Sequence, residues 1–320
     1  MLRLLTLTFS LAFFAFASFC PIAQATNYPT KTVQVVVPWP PGGADISARI
    51  IGEKMREITG QSFYVSNISG AAGMTGATQV QNARPDGYTI LWEHAGNLTI
   101  SPLLSQAPFT WRDFELVCAV GYSDIALIVR GNSHWNTAMD LIEEIRANPG
   151  KIRWAMAINV VSHITYLDIA TAAGGLNVMP IPTPGDRPRI VSVLGNHSDV
   201  ATVQLPAADA YVRSGDIKIL GMVTQERSRF APEIPTLREQ GIDAGNVYLY
   251  TVFVPKGTPQ DVIQRLAAAY KEAVESPEIQ EAFAAQHLVA RFKDSAEATA
   301  FWAREAELNE RLARTNNLLR

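Results

Sequence analysis

Three features of the 320-residue sequence predict an α/β fold. Short β-branched runs alternate with longer amphipathic stretches, glycine-rich junctions stand where one gives way to the other, and the runs are too many for one sheet. Taken in order, Val33–Val37 reads as a strand, residues 46–59 as a helix, Phe63–Asn67 as a strand and 73–83 as a helix. Residues 88–92 form the next strand, after the turn Pro85-Asp86-Gly87. Long connections of this kind join parallel neighbours, so the sheet is expected to be largely parallel. The alternation resumes with strand 125–129, helix 137–147, strand 152–157, helix 162–173 and strand 177–181. It continues through 188–194, 200–203, 206–213 and 217–223.

After a loop carrying Pro232 and Pro235, residues 247–254 read as a strand, and the pattern from 259 to the end is helical. A terminal block of helices with a single strand must complete an earlier sheet. The expected organisation is therefore a discontinuous first domain, residues 26–123 plus 248–320, and an inserted second domain, residues 124–247. Each is a mainly parallel sheet flanked by helices.

The first residues belong to neither domain. Arg3 precedes an uncharged apolar stretch that ends near Ala23-Gln24-Ala25, the small-x-small pattern of a signal-peptidase site, so residues 1–25 read as a cleaved secretory signal. The stretch is short for a membrane span of roughly 20 residues, and no later one qualifies. Phe19 before Cys20 is too large for a lipid-attachment site. The mature chain is thus expected to be exported, with no membrane insertion of its own. Only Arg3 of the 27 basic residues lies in the leader, so the mature charge is one unit more negative than the −3 of the whole chain. That balance excludes nucleic acid and anionic membranes as partners. Loss of Cys20 leaves Cys118 alone, so no intrachain disulfide can form and stability rests on burial.

In open α/β sheets, ligands sit beyond the carboxyl ends of the strands, where helices begin with unpaired amides and partial positive charge. Pro40-Pro41-Gly42-Gly43 occupies such a place, and glycine lets the backbone approach a ligand closely. The same residues also serve a plain turn with Asp45 capping the helix. A second junction, Asn67-Ile68-Ser69-Gly70-Ala71-Ala72-Gly73-Met74-Thr75-Gly76, follows the next strand. It lacks the lysine of a phosphate loop and the G-x-G-x-x-G spacing, so nucleotide binding is unsupported.

These segments, with Tyr28-Pro29-x-Lys31, the Trp39-Pro40-Pro41-Gly42-Gly43-Ala44-Asp45 run, Gly70 to Ala77 and Pro85-Asp86-Gly87-Tyr88-Thr89, resemble the periplasmic receptors of tripartite tricarboxylate transporters, the Bug family. Later segments keep register: Asn148-Pro149-Gly150-Lys151, Leu205-Pro206, Arg213-Ser214-Gly215, Arg227, Ile234-Pro235-Thr236 with Gly241, and Val254-Pro255-Lys256-Gly257-Thr258-Pro259. The resemblance implies a type II periplasmic binding protein fold, a hinged Venus flytrap. It would close as a monomer on a small carboxylate, without a cofactor, and deliver it to membrane transporter subunits. It implies that Trp39, Pro41, Gly42, Gly43 and Asp45 of the first junction and Ala72, Gly73, Met74 and Thr75 of the second hold the near carboxylate.

The sequence departs from the family where ligand identity is set. The first loop spaces Asp45 one residue closer to its glycines. The second-domain loop has become Met156 to His163, keeping only Ala157, Asn159 and Ser162 of the family pattern. Thr183-Pro184-Gly185-Asp186, followed by Arg187 and Arg189, stands where the family has tyrosine, lysine and glycines. Val203-Gln204 replaces Asp-Asn, and Leu249, flanked by Tyr248 and Tyr250, replaces a tryptophan. The implied far pocket is more apolar and suits a larger, aromatic or dicarboxylate ligand. Its candidates are His94, Asn159, Ser162, His163, Thr183, Gly185, Asp186, Arg187, Gln204 and Tyr250. Arg187 could clamp a second carboxylate, although a loop arginine is more often solvated. Trp39, His94 and His163 have core or loop readings beside the ligand one.

An exported hydrolase of small esters or amides is the competing class, and a ligand sensor for a signalling partner is a third. The sequence has no G-x-S-x-G, H-E-x-x-H or C-x-x-C, and its five histidines show no metal-ligand spacing. Cys118 lies in an apolar run and reads as a small buried hydrophobe. No enzyme is expected.

Overall fold

The first strand, β1 (Val33–Val37), is VQVVV, and its four valines are at most 1 % exposed, so it must be covered on both faces. A computed structural model, which describes residues 27–94, 96–104, 107 and 109–319, provides that cover. The expected signal, residues 1–25, lies outside the described residues. Val33, Val35 and Val37 join Ile51 and Met55 of α1 (Gly43–Thr59) and Leu266 and Tyr270 of α8 (Gln260–Glu275) in one core cluster. Val36 points the other way, onto Ala77 and Val80 of α2 (Met74–Gln81), Leu98 of α3 (Asn97–Leu104) and Trp302 of α10 (Ser295–Thr315). The period-two alternation of a strand thus sorts its neighbours into two layers. α1 buries Ala44, Ala48, Ile51 and Met55 at helical spacing and stops at Gly60, whose positive φ lets its N–H close on Arg56 O.

β2 (Phe63–Asn67) and β3 (Thr89–His94) flank β1 in parallel. β5 (Arg153–Met156) pairs in parallel with β6 (Met179–Pro182) and β7 (Val200–Gln204). These two parallel groups are joined by antiparallel strands, so the sheet as a whole is mixed: β2-β1-β3-β9-β4-β7-β5-β6, with β8 (Ile217–Met222) and β10 (Leu288–Lys293) also on β4. β4 (Phe114–Arg130) runs for 17 residues, roughly 55 Å at about 3.3 Å per residue. Its first part pairs with β9 (Val247–Pro255) and β10, and its part from Ile125 onward with β7 and β8. One strand therefore belongs to both lobes. The chain returns beside it, where Val223 N donates to Ile125 O and Asn246 N to Val223 O.

Several elements differ from the sequence reading: α3 (Asn97–Leu104) is absent from it, and α1 starts at Gly43 rather than at 46. The strand expected at 125–129 begins eleven residues earlier, at Phe114. β10 interrupts the stretch read as all helix, between α9 (Pro277–Ala285) and α10. α6 (Asp186–Leu194) starts two residues before the expected 188.

The second lobe packs α4 (Ala138–Ala147), α5 (Val161–Ala172), α6 and α7 (Leu205–Arg213) around β5, β6, β7 and β8. An apolar cluster of Ile100 on α3, Ile164 and Leu167 on α5, and Leu312 and Ala313 on α10 joins the two lobes on one side.

Candidate functional site

The carboxyl ends of β1, β3, β5 and β7 all lead to the gap between the lobes, and α1, α5, α6 and α7 begin there. Gly42, which precedes α1, supplies no side-chain cap, so the first-turn amides of Gly43, Ala44 and Asp45 lack an intrahelical acceptor. A Cβ on Gly43 would lie 2.6 Å from Gln204 Oε1 and 3.0 Å from the Tyr250 hydroxyl. Only glycine lets the two lobes approach this closely. The cleft is closed in this structure.

From that contact a hydrogen-bonded chain runs across the gap. The Tyr250 hydroxyl donates to Gln204 Oε1. Gln204 Nε2 donates to Asp186 Oδ2 at 2.9 Å, and its backbone N–H to Asp186 Oδ1 at 3.3 Å. Arg189 Nη2 donates to Asp186 Oδ1 at 2.5 Å. Asp186 and Arg189 are three apart at the start of α6, so they share a helix face. Arg189 also meets the Tyr248 hydroxyl of the opposite lobe.

Aromatic rings wall the first-lobe side. Trp39 donates through Nε1 to Glu93 Oε1 at 2.9 Å and stacks on His94, centroids 4.9 Å apart at 14°. His94 meets the edge of Tyr248 at 4.7 Å. Burial, with the nearby Arg189 charge acting in the same direction, pushes the His94 imidazole down to about 3, so the ring is neutral at physiological pH. Burial, with Asp186 close by, raises the Tyr250 phenol. Arg189 Nε and His94 Nδ1 are buried here without a hydrogen-bond partner.

The remaining candidates are distributed as follows. Asp45 is buried and paired with Arg49 at 2.9 Å, and Arg49 also reaches Asn67 Oδ1. Asn67 in turn donates to Trp39 O, so this group pins the first loop. Pro41 is exposed. In the second junction Gly70, Ala71, Ala72 and Gly73 all have positive φ, a costly conformation for the two alanines. Ala72 and Thr75 are exposed, Met74 half-buried and Gly73 buried. Ser162 Oγ accepts from Ala157 N, and Asn159 N donates to His163 Nδ1. Asn159 O accepts from Ser101 Oγ of α3, across the lobes. Burial lowers the His163 imidazole. Thr183 holds β6 to β5 through Met156 O, and Gly185 precedes α6 with φ 87°. Arg187 is exposed.

The structure thus brings together Trp39, Gly43, His94, Asp186, Gln204 and Tyr250. It adds Arg189, Tyr248 and Glu93, which sequence reasoning left out. Helical periodicity from a start at Asp186 is the signal that distinguishes Arg189 from Arg187.

Two lobes joined by crossing strands, with helix N-termini of both facing one gap, define a periplasmic binding protein fold. The family model described as "Tripartite tricarboxylate transporter family receptor" matches residues 47–318, and the chain belongs to that family. It is 30 % identical to protein BugT of Bordetella pertussis over 281 residues, 86 % of each chain. The structure of the periplasmic binding protein BugD superposes with a TM-score of 0.82 at 28 % identity, covering 91 % of this chain and 99 % of that one. An R. palustris protein solved with adipate superposes with a TM-score of 0.83 at 23 % identity, covering 90 % and 98 %. The family is one of periplasmic solute-binding receptors, and no helix among the described residues is long and apolar enough to cross a membrane.

Proposed function

We propose that this chain is an exported, monomeric receptor. It captures a small carboxylate between its lobes and presents it, chemically unchanged, to the membrane subunits of a tripartite tricarboxylate-type transporter. The observation that carries the reading is the meeting of the uncapped α1 terminus with Gln204, Asp186 and Arg189 from the other lobe. A helix terminus stabilises an anion by about 0.3 to 1 kcal/mol, and up to about 2 when partly buried. Stripping water from a lone carboxylate costs far more. Donors from both lobes must therefore converge, and a carboxylate that binds the closed form better shifts the hinge toward it.

In this reading the lobes are residues 26–123 with 248–320, and 124–247. The hinge lies where Asp124 pairs with Val247. Opening the hinge separates Gly43 from Gln204 and admits the anion to the freed amides of α1. The adipate carried by the R. palustris relative supports a carboxylate as cargo.

Calorimetry with a panel of mono-, di-, tri- and aromatic carboxylates tests the proposal. Micromolar binding of at least one, about −8 kcal/mol, is expected. Gly43→Val, whose side chain would collide with Gln204, should weaken every binder at least tenfold. A panel without a single binder ends the receptor reading. Sustained turnover of small esters would replace it with a hydrolase.

A further inference from the structure

Resting on the carboxylate-receptor reading, the geometry points to Arg189 as the anchor for the far end of the ligand. It grips an uncharged oxygen there, so the preferred cargo is a monocarboxylate with a distal hydroxyl or carbonyl rather than a dicarboxylate.

Arg189 is 3 % exposed, and its Nε has no partner. A guanidinium this deep is not placed there by solvent. It faces Tyr248 and His94 of the opposite lobe, so it lies on the closing surface and not in the interior of its own lobe. Opening of the cleft would part it from Tyr248 and leave further donors free. His94 Nδ1, 5 % exposed at the residue level, is also without a partner. Two unsatisfied nitrogens, one on each wall of the gap, are open to a hydrogen-bonding group of the ligand.

Charge decides which group fits. Arg189 is already balanced by Asp186 at 2.5 Å, and Asp186 is held in turn by both the side chain and the backbone of Gln204. Asp186 therefore cannot swing away without leaving the side-chain Nε2 and backbone N–H of Gln204 without their acceptor. The other groups facing this end add no positive charge: His94 is neutral, Tyr248 and Tyr250 are phenols, and Glu93 is an acid. A second ligand carboxylate would meet one guanidinium against two protein carboxyls, and its desolvation would go uncompensated. A neutral oxygen needs only the spare Nε–H of Arg189. The ring of His94 can donate or accept beside it. The near end keeps the uncapped amides of α1 for the single carboxylate.

Three six-carbon probes separate these cases by their far ends: hexanoate, 6-hydroxyhexanoate and adipate, titrated calorimetrically into the full mature chain at pH 7. Wild type should bind 6-hydroxyhexanoate at least tenfold more tightly than either of the others. Asp186→Asn, which leaves the guanidinium charge uncompensated, should move the preference at least tenfold toward adipate. The double variant Asp186→Asn with Arg189→Gln should bind hexanoate and 6-hydroxyhexanoate alike. Should Asp186→Asn fail to fold, the wild-type ranking and the loss of hydroxyl preference in Arg189→Gln decide the matter. Adipate as the tightest wild-type probe overturns the assignment, as does an unchanged ranking in Asp186→Asn. Failure of all three probes overturns it too. In each of these results, binding of any other member of the wider carboxylate panel leaves the receptor reading standing.

Discussion

The environment of His94 shows how much of this site is decided by single side chains. A lone histidine near a strand end has a loop reading and a core reading, and the sequence holds nothing to choose between them. The structure puts the ring between Trp39 and Tyr248, buried and neutral. Its folded-state pKa, about 3, lies below the ordinary 6.5. The stability this group contributes is therefore fully present above pH 6.5. It is lost as pH falls toward 3, because the unfolded chain takes up a proton that the folded chain refuses. His94→Phe, which keeps the stacking, should flatten the acid side of a urea-derived stability profile between pH 6.5 and 4; an unchanged slope would mean the ring is hydrated. Arg189 teaches a related lesson. It and Arg187 look alike in sequence, and only a helix start at Asp186 puts one inward and the other in water. Gly43 was legible as a strand-to-helix junction glycine, but the sequence offered a plain turn beside the ligand reading, and its contact with Gln204 comes from the other lobe.

Among the elements, those with strong local periodicity were readable and those defined by distant partners were not. α1, with its four buried apolar residues in phase, and β1, with valine at four of its five positions, announce themselves. The first half of β4 does not. Its Gly121-Tyr122-Ser123-Asp124 run breaks the apolar pattern, and it is extended because β9 and β10 pair with it from residues far along the chain. β10 is a six-residue strand between two helices, and its pairing with β4 overrides the helical trend around it. Contact between elements also sets the closed form. Gly96, just before α3, has φ 149°, and a Cβ there would lie 2.2 Å from Val161 Cγ2 at the start of α5. Gly96→Ala should hold these helix ends apart and weaken ligand binding about tenfold, or about 1.4 kcal/mol. Calorimetry alongside small-angle scattering checks this, and equal affinity with an unchanged radius of gyration would show that the contact is dispensable.

For the whole molecule, the two lobes meet not only at the cleft but also where α10 lies on α5. There Glu305 is driven up to about 7 by burial, with the Asp168 carboxylate adding to the rise and Arg304 opposing it. A carboxyl raised in this way contributes stability below its ordinary 4.5 that is lost as pH climbs through 7. Glu305→Gln should therefore be more stable than wild type at pH 8 and indistinguishable from it below pH 4.5, as read by thermal melts across that range; a constant difference at every pH would mean the effect is not protonation. The continuity of β4 and the late return of β9 have a consequence for biogenesis. Synthesis delivers β1, β2 and β3 first, yet the outer edge of β3 has no partner until residues near Tyr250 exist. Meanwhile, the strands and helices between Ile125 and Val223 are contiguous and can mature on their own. The segment made first is thus completed last, so the nascent protein carries an open sheet edge through about half of its elongation, a window in which edge pairing with another chain is the hazard.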